Sequence, residues 1–373
     1  MPQNYSQLAT ELNLTPSYEN EAQLSALRRW CADHFLEDSH KPTASTPKDE
    51  YQLLQKQAEE YLDLFPQHNR DLNTPNKNLA GYTPIQWAVR KGYKDFLEQH
   101  VNNVDPIHKR TPLHLATSYG LLAVVHFLLK NGAKNLPDRG GEYPIHLALT
   151  LNIIEQTPSL KDQSILTRTT IYRLLKAAKP DVLQKTNAEG RNIAHHMVVY
   201  GFNNLLSELI KAKSELLLAR DILELTPAHL AITTGQTSSL ILLLEDERIR
   251  NLLDEKGTLL HYAADSGSKG DIMACLQAGL DEHYQVNKKT PAMRAVLMGN
   301  DKALQGFPIE SLSKERIGED ELTLLHLATK YNIEASQKWL SENTKLSSVP
   351  DKKGRLPEDY NSEQNLLASK MTL

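Results

Sequence analysis

The sequence is poor in the features that mark secreted, membrane-spanning and disulfide-stabilised proteins. Its 373 residues include only two cysteines, Cys31 and Cys275, which lie far apart and indicate a reducing compartment. No apolar run approaches the roughly 18 residues that a membrane span requires. The first residues also lack the basic and apolar segments of a secretory signal. We therefore expect a cytoplasmic protein without a membrane span.

Sequence motifs of phosphate binding, dinucleotide binding and hydrolysis are missing as well. There is no G-x-x-x-x-G-K-[ST], no G-x-G-x-x-G after a strand, no H-E-x-x-H and no G-x-S-x-G. The net charge is −4, which gives no indication of a nucleic acid or an anionic membrane as partner. We predict that the protein is not an enzyme and uses no cofactor or metal.

What the sequence does contain is a short pattern best seen at residues 111–120. Thr111 can cap a helix that Pro112 opens, because proline lacks the N–H that would have no partner there. Leu113 and Ala116 lie three residues apart on one helix face. Gly120 ends the helix, since glycine adopts a positive φ without strain. A second amphipathic run follows, so the unit is a pair of helices joined by a turn.

This unit recurs down the chain. The helix-start position is occupied by Thr83, Thr111, Tyr143, Asn192, Thr226, Thr258, Thr290 and Thr323, with a degenerate ninth at Leu356. Successive starts lie 28, 32, 49, 34, 32, 32, 33 and 33 residues apart. A period near 33 predicts an all-α solenoid of stacked helix pairs, because one pair cannot bury its own apolar face.

The chain resembles the ankyrin-repeat family, whose T-P-L-H-x-A box and period are found here about eight times. The histidine position holds His114, His146, His195, His229, His261 and His326. The helix-ending position holds Gly92, Gly120, Asn152, Gly201, Gly235, Gly267, Gly299 and Asn332. The resemblance implies antiparallel helix pairs with hairpin-like fingers between them and a concave binding surface. It also implies that the histidines tie a helix start to the adjoining finger.

Residues 1–66 lie outside the repeat pattern and contain two amphipathic stretches around a linker near 41–47. The first helix is expected to open at Thr15-Pro16 and to carry on one face Leu24, Leu27, Cys31 and Phe35. The second is expected to open at Thr46-Pro47 and to carry Leu54, Ala58, Tyr61 and Phe65. Two such helices would expose apolar faces alone, so we predict that they dock on the first repeat.

The repeat array, residues 67–350, contains an insertion at about 153–168, where Pro158 and Ser159 argue against one continuous helix. It is either a binding loop or a tolerated surface loop. Residues 351–373 are predicted to form a degenerate capping repeat with a polar tail. Capped ends favour a monomer.

The remaining chemical groups have structural interpretations beside functional ones. Cys31 and His34 lack further zinc ligands nearby, and Cys31 lies on an apolar helix face, which favours a core position. The acidic triplet 319–321 is expected to be a solvated finger or a docking patch for a basic partner. His195 and His196 point in different directions on a helix and are not expected to bind one ion.

The resemblance implies that partners bind at the finger residue before each helix start and at the last residues of that helix. The predicted partner-binding residues are Tyr82, Arg90, Lys91, Arg110, Ser118, Tyr119, Arg191, Val199, Tyr200, Leu297, Met298, Lys330 and Tyr331. Tyrosine is enriched at binding hot spots. Arg90, Lys91 and Arg110 make the early repeats basic and predict acidic groups on the partner there.

We therefore favour a non-catalytic scaffold or adaptor that binds an unidentified protein through its repeats. The alternative is an enzymatic or recruiting activity in residues 1–66 that the repeats target. The poorly matching boxes, the insertion and the polar tail also resemble the ankyrin-repeat effectors that intracellular bacteria deliver into host cells, which often carry divergent repeats beside a short helical region. In that case the protein would act in the host cytosol.

Overall fold

The computed structural model describes residues 4–17, 19–36, 46–64, 82–149, 158–178 and 180–360. They divide into two compact units, Met1–Ile193 and Ala194–Leu373. Outside the described residues lie most of the predicted linker, Phe65, Asn152, the start of the insertion and the polar tail. Within them, no helix has both the length and the apolar composition to cross a bilayer.

Three helices precede the repeats: α1 (Tyr5–Glu11), α2 (Glu21–His34) and α3 (Pro47–Leu64). The predicted opening of α2 at Thr15-Pro16 is wrong, because Asn20 caps this helix by accepting a hydrogen bond from the Gln23 N–H at 3.1 Å. The opening of α3 is confirmed, since Thr46 Oγ1 accepts from the Asp49 N–H at 3.2 Å.

In the first unit, three helix pairs follow, in which α4, α6 and α8 pack against one another in order. The helices are α4 (Pro84–Lys91), α5 (Lys94–Gln99), α6 (Pro112–Ser118), α7 (Leu122–Lys130), α8 (Pro144–Ala148) and α9 (Pro158–Ala178). A 3₁₀ turn, Pro180–Gln184, leads to the next repeat. Leu113 and Ala116 are fully buried, as their shared face predicts.

The insertion is helical over the part that the structure describes, and the expected surface loop is wrong there. Pro158 begins α9, which continues without a break to Ala178 and also serves as the second helix of this repeat, after α8. Proline is favoured in the first turn of a helix, so Pro158 starts the helix that it was expected to interrupt. Arg168, 2 % exposed, donates from its guanidinium to the carbonyl oxygens of Leu147 and Ser118, both at 3.4 Å.

The second unit contains the helices from the fourth repeat onward, and α12, α15, α17 and α20 pack in succession. These helices are α10 (Ile193–Val199), α11 (Asn203–Lys211), α12 (Pro227–Thr233), α13 (Thr237–Leu243), α14 (Glu247–Arg250), α15 (Leu259–Ser266), α16 (Lys269–Gln277), α17 (Pro291–Leu297), α18 (Asp301–Leu304), α19 (Ile309–Lys314), α20 (Leu324–Lys330) and α21 (Glu334–Asn343). Two short 3₁₀ turns are Glu215–Leu217 and Leu346–Ser348. An antiparallel ribbon of β1 (Leu253–Asp254) and β2 (Gly257–Thr258) forms one finger.

The predicted helix boundaries are confirmed by an N-cap residue at seven of the nine predicted helix starts and by a positive φ at seven of the eight predicted helix ends. N-cap residues with extended backbone are Thr83, Thr111, Tyr143, Thr226, Thr258, Thr290 and Thr323. The helix-ending glycines at 92, 120, 201, 235, 267 and 299 all have φ between +69° and +79°, and Asn332 has φ +55°. Because a side chain strains this region, glycine and asparagine are the residues that suit it.

The N-terminal helices dock on the first repeat, as predicted. Trp30 of α2 and Tyr61 of α3 pack edge to face at 5.5 Å between ring centroids, and Tyr61 packs on Tyr93 of the first repeat at 5.0 Å. The Tyr61 hydroxyl donates to Asp95 Oδ2 at 2.6 Å. The backbone N–H of Leu36 donates to the Gly92 carbonyl oxygen at 2.9 Å. An aromatic cluster thus covers the outer face of the first helix pair.

Candidate protein-binding surface

The box histidines join each repeat to the segment that leads into the next. Nε2 lies 3.0 to 3.2 Å from a backbone carbonyl oxygen of that segment in His114, His146, His195, His261 and His326. Nδ1 faces the N–H of the helix start, as between His114 and Thr111 at 3.1 Å. The histidines are buried, and burial lowers the pKa of His114 and His261. Their predicted structural role is confirmed.

His229 differs from the other box histidines in its second nitrogen. Its Nδ1 accepts from the Thr226 N–H at 3.2 Å, but its buried Nε2 has no hydrogen-bond partner among the described residues. Asp254 Oδ2, on the next finger, lies 3.7 Å from this nitrogen. Burial lowers the pKa of His229 to about 4, although Asp254 acts in the opposite direction. This histidine is therefore neutral at physiological pH.

Sequence reasoning missed the residue that opens several fingers. One Oδ1 atom accepts from the N–H groups two and four residues ahead, at 2.8 to 3.0 Å, in Asp138, Asn187, Asp221 and Asp351. Aspartate and asparagine favour such turns because the short side chain reaches its own backbone. An Asp or Asn five residues ahead of the helix start was the available signal.

The first unit contains a groove of about 310 Å³, which we call the first groove. It lies between the finger at residues 105–110 and the helices α4 and α6. It brings together three of the predicted partner-binding residues, Arg110, Ser118 and Tyr119. The groove also contains Ile107, which is 59 % exposed and which the sequence prediction did not include. An exposed isoleucine in a polar finger was the signal that could have identified it.

Tyr82 and Arg90 extend the surface beside the first groove. The Arg90 guanidinium lies 5.4 Å from the centroid of the Tyr82 ring and donates to its hydroxyl at 3.4 Å. Tyr119 is 37 % exposed. Burial and the neighbouring Tyr82 raise the pKa of the Tyr119 hydroxyl, so it stays protonated and can donate a hydrogen bond.

Two of the early basic side chains are paired within the chain. Lys91 points to the N-terminal helices, where its Nζ lies 3.4 Å from Glu60 Oε2 and 4.7 Å from the Trp87 ring centroid. Arg110 Nε donates to Asp138 Oδ2 at 3.1 Å. The predicted attraction of acidic groups to the early repeats is therefore weakened, because these charges are already compensated.

In the second unit, a larger groove of about 610 Å³, the second groove, lies between two fingers and the first helices α17 and α20. It contains Leu297, Lys330 and Tyr331 from the predicted set. Met298, the residue after Leu297, is 61 % exposed, and Tyr331 is 56 % exposed. The groove therefore joins partly exposed apolar side chains with charged fingers.

The other predicted residues lie outside the lining of these two grooves. Arg191 NH1 pairs with Glu189 of its own finger at 2.6 Å. The Val199 carbonyl oxygen accepts from the Gln236 side chain at 3.2 Å. Tyr200 stacks on His196 with 6.2 Å between ring centroids and is partly exposed. They remain predicted contacts.

The Cys31 and His34 pair belongs to the docking interface of the N-terminal helices. Burial raises the pKa of the Cys31 thiol to about 12, which disfavours the nucleophilic thiolate. The His34 ring stacks on Trp30 at 4.3 Å, and its Nδ1 lies 2.8 Å from the Trp30 carbonyl oxygen. The predicted core position of Cys31 is confirmed.

Comparison with known proteins is consistent with this geometry. A family model of ankyrin repeats matches residues 54–139 and 85–155. The chain is 30 % identical over 173 residues to mouse Rabankyrin-5. The aligned stretch covers 40 % of the chain and 15 % of that protein. It is 24 % identical over 264 residues to a Caenorhabditis elegans homologue of transient receptor potential cation channel subfamily A member 1, covering 70 % of the chain and 18 % of the channel.

The chain thus spans less than a fifth of the length of these curated relatives. Among solved structures, the ankyrin repeat domain of Bcl-3 matches 67 % of the chain and 93 % of that domain, with a TM-score of 0.41 and 19 % identity. The family-model match begins inside α3 and covers the first three helix pairs in part. The matched residues are thus similar to ankyrin repeats, and the described residues beyond them continue the same all-α pattern of capped helix pairs.

Proposed function

We propose that the chain is a non-catalytic adaptor that holds a protein partner against its fingers and the ends of its first helices. The repeated residues support this proposal, because each is engaged in the scaffold. The box histidines bond to caps and carbonyl groups inside the protein. The variable residues between them line two surface grooves instead. The positions that differ between repeats are therefore the ones available to a partner.

Photo-crosslinking tests this proposal directly. A photoreactive phenylalanine analogue is placed at Tyr119 or Tyr331, which line the two grooves, and as matched controls at Ile241 or Met273. The control side chains are 52 % and 42 % exposed and lie on the second helices α13 and α16. We expect a protein adduct from the groove positions alone. Equal adducts from the control positions would refute the proposed surface.

A double substitution measures how much the tyrosines contribute. Tyr119→Ala combined with Tyr200→Ala should weaken capture of the crosslinked partner by about tenfold or more, because aromatic side chains dominate interface energetics. The melting temperature should change little, since both rings are partly exposed. Undiminished capture by a folded double variant would show that these two tyrosines do not contribute to partner binding.

The alternative places an enzymatic or recruiting activity in residues 1–66. Cys31→Ser separates the two ideas. The adaptor proposal expects partner capture to persist, with some loss of stability because a hydroxyl replaces a buried thiol. Loss of capture by a folded variant would favour the alternative.

From the resemblance alone, we also propose that the protein acts as a bacterial effector delivered into the host cytosol. The divergent repeats beside the N-terminal helices motivate this proposal. A translocation assay on the chain with and without its last ~20 residues tests for a C-terminal delivery signal. Delivery that is unchanged by the deletion would count against such a signal.

A further inference from the structure

We propose that the second groove binds an acidic segment of the partner protein that carries an apolar side chain. The inference rests on the proposed adaptor function and specifies the partner's chemistry. It follows from the shape of the groove, from its charge and from the contrast with the first groove.

Two tight fingers form the sides of the second groove. In one, Val286 and Lys289 exchange backbone hydrogen bonds at 3.0 Å, and Lys288 at its tip has φ +61°. In the other, Ile317 and Leu322 pair in the same way at 2.8 and 3.0 Å. Such short closed turns hold their side chains in place before binding, which reduces the entropy lost on association.

The floor of the second groove is apolar. Met293 and Leu297 come from α17, and Leu327 comes from α20. Tyr331 stands at the end of α20 and is more than half exposed. An aliphatic or aromatic side chain of a partner would gain burial here, and a tyrosine at the edge of such a pocket is typical of binding hot spots.

The rim of the second groove carries more positive than negative charge. Its lining includes four lysines, at 288, 289, 330 and 353, against two acidic side chains, Glu319 and Asp320. Lys353 Nζ pairs with Asp320 at 2.9 Å, so these two charges compensate each other. The exposed Lys288 and Lys289 of the other finger supply the positive charge on which the inference rests. The chain as a whole has a net charge of −4, which makes this positive rim a local feature. Such a field attracts and orients an acidic segment.

The first groove does not offer the same charge. Its basic side chain, Arg110, is paired with the well-buried Asp138, whose carboxylate is part of the same finger scaffold. Lys288 and Lys289 are exposed on their finger. The second groove is therefore the better site for an acidic segment, although sequence reasoning placed this preference at the early repeats.

Peptide selection tests the inference before any partner has been identified. Random twelve-residue peptides displayed on phage are selected against the full chain. We expect the enriched peptides to carry net negative charge around a central apolar residue. Their affinity should fall as salt is raised, because exposed charges are screened. Enrichment of basic or neutral peptides, or of none above background, would overturn the inference.

Two charge-reversal variants, one on a finger of each groove, locate the binding site. Lys288→Glu with Lys289→Glu should weaken binding of an enriched, fluorescein-labelled peptide by about tenfold or more, read by fluorescence anisotropy. Lys109→Glu is the control, since Lys109 is an exposed lysine with φ +57° that occupies the same finger position in the first unit. Both variants should keep the wild-type circular dichroism spectrum, because all three side chains are exposed.

The outcomes separate this inference from the proposed function. Equal loss in the second-groove double variant and in Lys109→Glu, or loss in neither, would refute the second groove as the acidic-segment site. If crosslinks still form from Tyr119 and Tyr331 while the selected peptides are basic, the adaptor function stands and only the partner chemistry is wrong. If crosslinks also form from the second-helix positions, the proposed function itself fails.

Discussion

The two ends of the repeat array cover their apolar surface by different means. At the first repeat, α2 and α3 add an aromatic cluster in which Tyr61 contacts Trp30 and Tyr93. At the last repeat, a polar turn closes the array instead. Asp351 accepts from Arg355 Nε at 2.9 Å and from the Tyr360 hydroxyl at 2.8 Å, and His326 Nε2 lies 3.0 Å from the Arg355 carbonyl oxygen.

This difference shows that a terminal repeat can be stabilised either by burying apolar area or by forming well-placed hydrogen bonds. The N-terminal cluster removes large aromatic side chains from water, which yields stabilisation in proportion to buried area. The C-terminal turn also buries one ring, that of Tyr360, but its distinctive contribution is to satisfy backbone groups that would otherwise lose their partners. The first device should therefore be sensitive to side-chain volume, and the second to hydrogen-bond geometry and to pH.

The largest expected effect is at the aromatic end. Tyr61→Ala removes a fully buried ring and the donor to Asp95, so the free energy of unfolding should fall by about 3–5 kcal/mol. Urea denaturation followed by tryptophan fluorescence measures this loss, since Trp30 reports on the cluster. The matched control is Tyr284→Ala, a ring that is 39 % exposed and should cost much less. Similar losses in the two variants would contradict a cluster that acts through buried area.

A smaller effect, and one that depends on pH, is expected inside the array. The pKa of His229 is about 4 in the folded protein against an ordinary value of 6.5. Between these values the unfolded state binds more protons, so stability should fall as the pH decreases from about 6.5 to about 4, by up to about 3 kcal/mol. Thermal melts across this range measure the loss.

A control that the chain itself supplies sharpens the histidine prediction. Gln86 occupies the same position in the first repeat, where its Oε1 accepts from the Thr83 N–H at 3.0 Å. His229→Gln should therefore keep the helix cap and flatten the pH dependence of the melting temperature. A pH dependence as steep as in the wild type would assign the titration to other groups, such as His114 or His261.

The smallest effect is expected at the polar end. Burial disfavours the charged form of Asp351, but hydrogen bonds from Arg355, Tyr360 and Lys353 outweigh it and hold the pKa well below its usual range. A lowered pKa means that this stabilisation persists above the ordinary pKa of aspartate and is lost only as the pH falls through the lower folded value. Asp351→Asn should lower the melting temperature at pH 7 modestly.

Asp320→Asn is the control for that substitution. The Asp320 carboxylate pairs with Lys353 at the surface and accepts no backbone N–H bond from the described residues, so its change should have a smaller effect on melting. Calorimetry on both variants compares them directly. A larger loss for Asp320→Asn would show that surface ion pairs, and not the turn, hold the last repeat.

Much of the scaffold could be predicted from the sequence because its geometry is local. Threonine caps, an N1 proline and a glycine at positive φ each act within one helical turn, so their positions identify the repeats. The same alignment of the repeats also predicted which variable positions, on the fingers and at the ends of the first helices, are candidates for partner binding. Two local features were misjudged: the start of α2, where Asn20 outcompetes Thr15, and the insertion, where Pro158 begins a helix.

The sequence by itself therefore determined the period and the helix boundaries of the repeats, since each depends on residues close along the chain. The Nε2 bonds of the box histidines, in contrast, reach carbonyl oxygens 28 or more residues away. Only the tertiary structure decided which charges remain available. Lys91 meets Glu60, and Arg110 meets Asp138, across separations that no local pattern encodes. The same holds for Arg168, which bonds to carbonyl oxygens of two earlier helices. The side chains that such long-range pairings leave exposed form the candidate binding surface. The charges of the two grooves therefore depend on the tertiary structure.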